Sequence, residues 1–244
     1  MCRSNLALTN SYGEPGMIED PPLLTMRRRF RRPAADRVAA FAGLPTGFVV
    51  DALGGRGALD GCIKPIGDAE AFCGVALPCE AGPADNLAAF GALSIAEPGD
   101  VILCGTDGFE RTSVAGDLLL GMMKNRGVVA FVTDGFVRDI AGIRAVGLPC
   151  FAAGLTPNSP ARNGPGTVGL PAVVGGVAVG PGDIVVGDED GVVVVPNSRI
   201  EETIARLANV RAAEAALDVK VKAGLQIPEF LQALIDDRRF REVD

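Results

Sequence analysis

The chain has 244 residues, with 23 Lys plus Arg against 30 Asp plus Glu, a net charge of −7, 48% hydrophobic residues and no histidine. The missing imidazole excludes a hydrolase built on a histidine base and any His-ligated zinc, haem or copper centre. Length and apolar content support a sizeable core rather than disorder, and the acidity disfavours nucleic acid as a partner, since phosphate neutralisation needs the opposite sign.

Residues 1–25 mix Asn, Ser, Gly and Pro without periodicity and are expected to form a loose arm. The basic run Arg27 to Arg32 follows, which suits a solvated face or a salt-bridge strip between subunits better than an RNA contact. Residues 34–55 have helical character in part, with a second helix expected at Val49 to Leu53. Ala71 to Cys79 is expected as a strand. Asp85 to Ala96 reads as a helix with an acidic start. The turn signal Pro98-Gly99-Asp100 delivers an apolar strand, Val101 to Cys104. A helix over 113–126 with Gly127 as its C-cap, a buried strand at Val128 to Thr133, a short helix at Asp139 to Val146 and a strand at Cys150 to Ala153 complete the middle third. Residues 164–196 are Gly, Val and Pro rich and predict hairpins turning at Gly175-Gly176, Pro181-Gly182-Asp183 and Asp188 to Gly191. After Pro196 a long helix is expected, with Ser198 and Glu201 at capping-box spacing and Ile200, Ile204, Leu207 and Val210 on one packed face. Pro228 restarts a short helix.

Strands alternating with helices imply βαβ units. The expected fold class is α/β: a single domain with a central βαβ unit, flanking antiparallel strands and terminal helices. The division is a partly irregular arm at 1–32, the main domain at 33–224 and a C-terminal helix and tail at 225–244. The six cysteines form no C-x-x-C pair and suit buried apolar roles in a reducing cytoplasm. Neither a membrane span nor a signal peptide is expected.

Chemistry concentrates in Gly116-Asp117-Leu118-Leu119 and, with twenty residues intervening after Asp117, in Arg138-Asp139. The first group sits at a helix start, where unpaired N–H groups favour anions. Arg138 offers a planar fork for a carboxylate. Asp117 and Asp139 are hard oxygen donors suited to Mg²⁺ or Mn²⁺. If both pieces lie at the carboxyl ends of adjacent strands they face one crevice, and together they describe a site for a 2-oxo acid. The plainer alternative makes Asp139 an N-cap of the next helix and Asp117 a complement to its helix dipole.

The stretches VDALGGRGALDGCIKPI, DNLAAFGALSIAEPGDVIL, GDLLLGMMKNRGVVAFVTDGFVRDIAGIRAVGLPCFA and VGGVAVGPGDIVVGDEDGVVVVP, spanning Val49 to Pro196, resemble the family of 4-hydroxy-4-methyl-2-oxoglutarate aldolase. That family also contains the regulator of ribonuclease E activity and members misnamed demethylmenaquinone methyltransferases. The resemblance implies a swivelling β/β/α-type domain assembled as a homotrimer or homohexamer. It implies Asp139 as direct metal ligand, Asp117 as ligand through water, Arg138 as the group that binds pyruvate and steadies its enolate, and the main chain of Gly116, Asp117, Leu118 and Leu119 as a carboxylate cradle. Glu214 is expected to reach a neighbouring subunit's site. The chain departs from the family in two places. Gly142 stands where some members carry an acid, and Leu87 to Ala92 lacks a histidine that many have.

The function implied is a divalent-metal-dependent lyase that releases pyruvate from a 4-hydroxy-2-oxo acid, with oxaloacetate decarboxylation as a side activity. A Schiff-base route is disfavoured, since Lys64, Lys124, Lys220 and Lys222 lie in no pocket motif. The alternative is a non-catalytic regulator that binds RNase E or another protein; a methyltransferase lacks its glycine-rich loop.

Overall fold

The computed structural model describes residues 21–68 and 71–243. In chain order it runs β1 (Leu24–Met26), α1 (Ala35–Ala39), α2 (Thr46–Ala52), β2 (Lys64–Pro65), β3 (Phe72–Glu80), α3 (Leu87–Ala92), β4 (Asp100–Gly105), β5 (Ser113–Ala115) and α4 (Asp117–Asn125). It continues through β6 (Ala130–Thr133), β7 (Phe136–Val137), α5 (Ile140–Val146), β8 (Cys150–Ala152), β9 (Gly154–Leu155) and β10 (Gly166–Val168). The hairpins β11 (Ala172–Val174) with β12 (Val177–Val179), and β13 (Ile184–Asp188) with β14 (Gly191–Val195), follow. A 3₁₀ turn at Asn197–Arg199 leads into α6 (Ile200–Lys222), and α7 (Glu229–Asp236) ends the described chain.

The frame is the parallel run β3-β4-β6-β8. Every residue of β4 is buried, as a strand covered on both faces requires, which is why Val101 to Cys104 is apolar without alternation. Helices α3, α4 and α5 cover one face through Leu77, Ile102, Leu120, Met123 and Phe131. The other face packs through Val101, Leu103, Val132 and Phe151 against Val174 and Val179 of the β11-β12 hairpin. A third core joins α2 and α6 to β13 and β14 around Val49, Val193, Ile200 and Leu207. The expected α/β class, antiparallel flanking strands and terminal helices are all present, with β10 and β13 antiparallel on β3 and β2 antiparallel on β8.

Several local expectations change. Most of the segment expected as a loose arm lies outside the described residues, but Leu24–Met26 pairs in parallel with β10. The helix expected over 113–126 begins only at Asp117. Ser113–Ala115 is a buried strand instead, because the Ser113 N–H and Oγ both donate to the Asn158 carbonyl and the segment pairs with β7. Helix α4 closes as expected at Gly127, whose positive φ lets its N–H reach Lys124 O while Val128 N–H reaches Met123 O. The Ser198–Glu201 capping box does not form. Ser198 lies in the 3₁₀ turn, and the Thr203 hydroxyl donates back to Arg199 O at 2.7 Å instead. Cys79, Cys104 and Cys150 are buried as expected, whereas Cys62 is exposed. No helix among the described residues is long and apolar enough to cross a membrane.

The basic run contributes one internal clamp. Arg32 Nε and Nη2 donate to the two oxygens of Asp100 at 3.0 and 2.8 Å, and the Asp100 side chain is only 1% exposed. The same carboxylate accepts the Glu97 N–H at 2.9 Å, so it holds the turn entering β4 as well. Arg32→Ala leaves this carboxylate buried without its counter-charge. Unfolding in urea is expected to become easier by about 3 kcal/mol, near the low end for a broken buried pair because Arg32 is partly solvated. An unchanged midpoint would remove Arg32 from the fold's supports.

At the carboxyl ends of β3 and β6 stand Glu80 and Asp134. Burial first, then the charges of Asp107 and Asp134, push Glu80 from its ordinary 4.5 up to about 7 despite backbone N–H donors at Val173 and Gly82. The folded state therefore holds this proton more tightly than the unfolded state. The stability tied to the proton is complete below about pH 4.5 and is lost as pH rises through about 7. Glu80→Gln, neutral at every pH, is expected to flatten that decline in denaturation curves taken from pH 5 to 8. A slope identical to the parent's would discard Glu80 as its source.

Candidate functional site

A small second sheet builds the site. β5 pairs in parallel with β7, and β7 with β9. Ala115 lies opposite Val137, and Arg138 N–H donates to Ala115 O at 3.0 Å. This register sets Gly116, which follows β5 and precedes α4, beside Arg138. Arg138 is expected just past the main-sheet strand; instead Asp134-Gly135 turns the chain out of β6, and Arg138 follows a separate strand, β7. The two motifs share a crevice through β5 and β7 rather than through β4 and β6.

A cavity of about 340 Å³ is lined by Gly116, Asp117, Leu118, Leu119, Arg138 and Asp139, together with residues outside both motifs. Arg138 Nε meets Asp139 Oδ2 at 3.1 Å, and Arg138 Nη1 donates to Ser159 Oγ at 2.6 Å. Both bonds leave part of the guanidinium fork available, and its side chain is 36% exposed. Asp139 occupies the N-cap position of α5 but makes no side-chain cap bond, so the capping alternative does not hold. Its backbone is left-handed, at φ 62° and ψ 46°. A residue other than glycine costs on the order of 1–3 kcal/mol in such a conformation, and such strain gathers at functional corners.

Two glycines make the constellation possible. A Cβ at Gly116 would lie 2.6 Å from Asp139 Oδ2 and 3.1 Å from Arg138 Cγ, so a side chain there would displace the Asp139 carboxylate from its place against the start of α4. At Gly142 on α5, a Cβ would lie within about 2.6 Å of Asp117 Cβ and Cγ and closer still to Oδ2. The Asp117 side chain therefore occupies the space that a residue 142 side chain would fill. The other oxygen of Asp117, Oδ1, accepts the Leu118 N–H at 2.7 Å and covers the start of the helix.

Asp117 and Asp139 are hard oxygen donors projecting into one cavity. Mg²⁺ is commonly held by one or two carboxylates, with water and substrate completing six positions. The pair fits such an ion, although no cluster of three or more His, Cys, Asp or Glu side chains suited to a metal occurs among the described residues. Glu214 is not among the lining residues; it lies on the exposed part of α6 beyond Val210, where no side chain is buried.

Asn86, Phe90, Ser159 and Arg162 also line the cavity. Asn86 precedes α3, Phe90 stands on it, and Ser159 and Arg162 stand on the loop after β9, all outside the Asp-Arg-Asp motif in sequence. Asp85-Asn86 carries a weak signal in the acidic helix start. The Asp85 side chain accepts the Leu87 N–H at 2.8 Å, and α3 begins at Leu87, two residues later than expected. Ser159 belongs to no pattern.

The family model RraA-like, described as Aldolase/RraA, matches residues 46–194. A protein of Halalkalibacterium halodurans named "Putative 4-hydroxy-4-methyl-2-oxoglutarate aldolase" is 34% identical over 201 residues, covering 82% of this chain and 96% of that protein. The structure of Streptomyces coelicolor RraAS2, an unusual member of the RNase ES inhibitor RraA family, superposes with TM-score 0.68 at 27% identity, over 78% of this chain and all of that one. The RNA-processing inhibitor RraA from Thermus thermophilis gives TM-score 0.58 at 29% identity, over 63% and 93%. With more than half its length matched by the family model and a relative of this identity along most of it, the chain belongs to the RraA-like family, Aldolase/RraA.

Proposed function

We propose that this protein is a divalent-metal-dependent lyase that cleaves a 4-hydroxy-2-oxo acid, of the 4-hydroxy-4-methyl-2-oxoglutarate or 4-carboxy-4-hydroxy-2-oxoadipate type, to pyruvate by a retro-aldol reaction. The observation that carries the reading is the meeting of Arg138, Asp139 and Asp117 in one cavity. The aldolase name of the 34% identical relative supports it.

Asp139 and Asp117 would hold Mg²⁺ or Mn²⁺, which when bound supplies Lewis-acid polarisation of the 2-oxo group. The remaining N–H donors of the Arg138 guanidinium bind the substrate carboxylate, and the main chain of Gly116 to Leu119 closes around it. Asp117 Oδ2 takes the 4-hydroxyl proton through a water. As the C3–C4 bond breaks, its electron pair forms the enolate of pyruvate and the 4-oxygen becomes a carbonyl. Arg138 stabilises the negative charge that develops. Protonation at C3 then yields pyruvate. Oxaloacetate would lose CO₂ through the same enolate, so decarboxylation is the expected side activity.

The second reading, a regulator that binds RNase E or another protein, draws on the RraA neighbours. A binding ring has no use for two carboxylates beside an arginine in a cavity, so the lyase is favoured. We extend the proposal to a homotrimer or homohexamer, in which Glu214 on the exposed half of α6 approaches a neighbouring copy's cavity.

Pyruvate release, followed with a coupled dehydrogenase, is expected to stop in excess EDTA and to return with Mg²⁺ or Mn²⁺. Asp139→Asn keeps a residue that tolerates the left-handed backbone. It is expected to lower turnover by about 100-fold or more, beyond the 10–100-fold typical of residues that only support a ligand. EDTA-resistant turnover, or a near-normal Asp139→Asn enzyme, would overturn the metal assignment. A pull-down of an RNase E scaffold segment by a chain that releases no pyruvate would favour the regulator.

Gly142→Ala tests the Asp117 placement. Alanine in a helix interior is ordinarily stabilising by about 0.5–1 kcal/mol. The variant is expected to stay folded while turnover drops at least about tenfold, because the new methyl group displaces the Asp117 carboxylate. Full activity would show that Asp117 need not sit where it does.

A further inference from the structure

Arg162 is an exposed arginine held in an unusually defined place. Its backbone is clamped on both sides by one buried residue, Asp85. Before it, Ala161 bridges Asp85, with Ala161 N–H donating to Ala84 O at 2.7 Å and Asn86 N–H donating to Ala161 O at 3.1 Å. After it, Asn163 and Gly164 both donate their N–H groups to Asp85 Oδ2, at 2.6 and 3.1 Å. Its guanidinium carbon stands 4.8 Å from the centroid of the Phe90 ring, and both side chains line the cavity that holds Arg138. No carboxylate among the described residues forms an ion pair with it. A guanidinium stacked on an aromatic face keeps its in-plane N–H donors free for a carboxylate.

The cavity thus presents two cations, Arg138 and Arg162. The matching chemistry is a diacid.

We infer that Arg162, stacked on Phe90, is the specificity-determining residue that binds the distal carboxylate of a dicarboxylic 2-oxo acid, leaving Arg138 for the carboxylate next to the oxo group. This rests on the lyase reading for the identity of the ligand but not for the test. Here a neutral ring serves as the pedestal for the arginine, which carries the charge.

The test compares two unreactive ligands of equal chain length, 2-oxoglutarate and 2-oxopentanoate, by calorimetry with Mg²⁺ present. The parent protein is expected to bind the diacid about tenfold or more tightly, the difference that one charge-assisted carboxylate contact makes. Arg162→Gln is expected to erase that preference by weakening 2-oxoglutarate about tenfold while leaving 2-oxopentanoate unchanged. Arg162→Lys is expected to restore part of it. Equal weakening of both ligands, no weakening of either, or a parent protein that does not distinguish them would overturn the assignment. In parallel, pyruvate release is measured from 4-hydroxy-4-methyl-2-oxoglutarate and from 4-hydroxy-2-oxopentanoate. A diacid preference in binding with no turnover of either substrate would refute the lyase and leave Arg162 as the diacid-binding residue.

Discussion

The candidate site depends on a short parallel pairing. Only Ser113 to Ala115 and Phe136-Val137 take part, with the Arg138 N–H anchored on Ala115 O. That pairing sets the start of α4 against the Arg138-Asp139 corner and converts two distant motifs into one cavity. A one-residue slip would turn the corner residues to the opposite face, since side chains alternate along a strand. The register is held from outside as well: Ser113 is tied to Asn158 by two hydrogen bonds, and β9 flanks β7 on its other side.

The larger fold bears this arrangement as a rigid support. β4 and β6 are buried between two cores, and the ends of these strands are fastened by Asp134, whose Oδ1 accepts both the N–H and the hydroxyl of Thr106. The chain leaves β6 at that point to form β7, so the Arg138-Asp139 corner grows out of a strand that is buried along its whole length. A strained left-handed residue such as Asp139 persists only where its surroundings over-determine it. Here the hydrogen bond from Ile143 N–H to Asp139 O at 2.9 Å starts α5, and the Arg138 guanidinium restrains the Asp139 side chain.

Much of the fold was legible in the residues. The apolar, β-branched runs at Val101 to Cys104 and Ala130 to Thr133 marked the buried strands, and the Gly-Gly and Pro-Gly-Asp signals marked the hairpin turns. The Asp-Arg-Asp spacing also identified residues that the fold brings together. Local patterns failed where a tertiary partner decided the outcome. Ser113 to Ala115 reads as part of a helix until Asn158 and β7 are present to pair with it. The Ser198–Glu201 spacing satisfies a capping rule, yet the chain enters α6 through a 3₁₀ turn in which the Asn197 N–H is taken by Asp183. Ser159, Asn86 and Arg162 gave little warning, because their placement comes from loop crossings and the Asp85 clamp. Nothing in a local window encodes either.

Gly142 carries an implication beyond its own helix. Asp117 is twenty-five positions earlier in the chain, yet its carboxylate fills the volume a side chain at 142 would need. The two positions are therefore not free to drift independently. A lineage that placed an acid at 142 would first have to redirect or give up the one at 117. Exchanging the charge between the two helices is thus a coupled step, and a sequence carrying both acids would need a different backbone approach of α4 to α5.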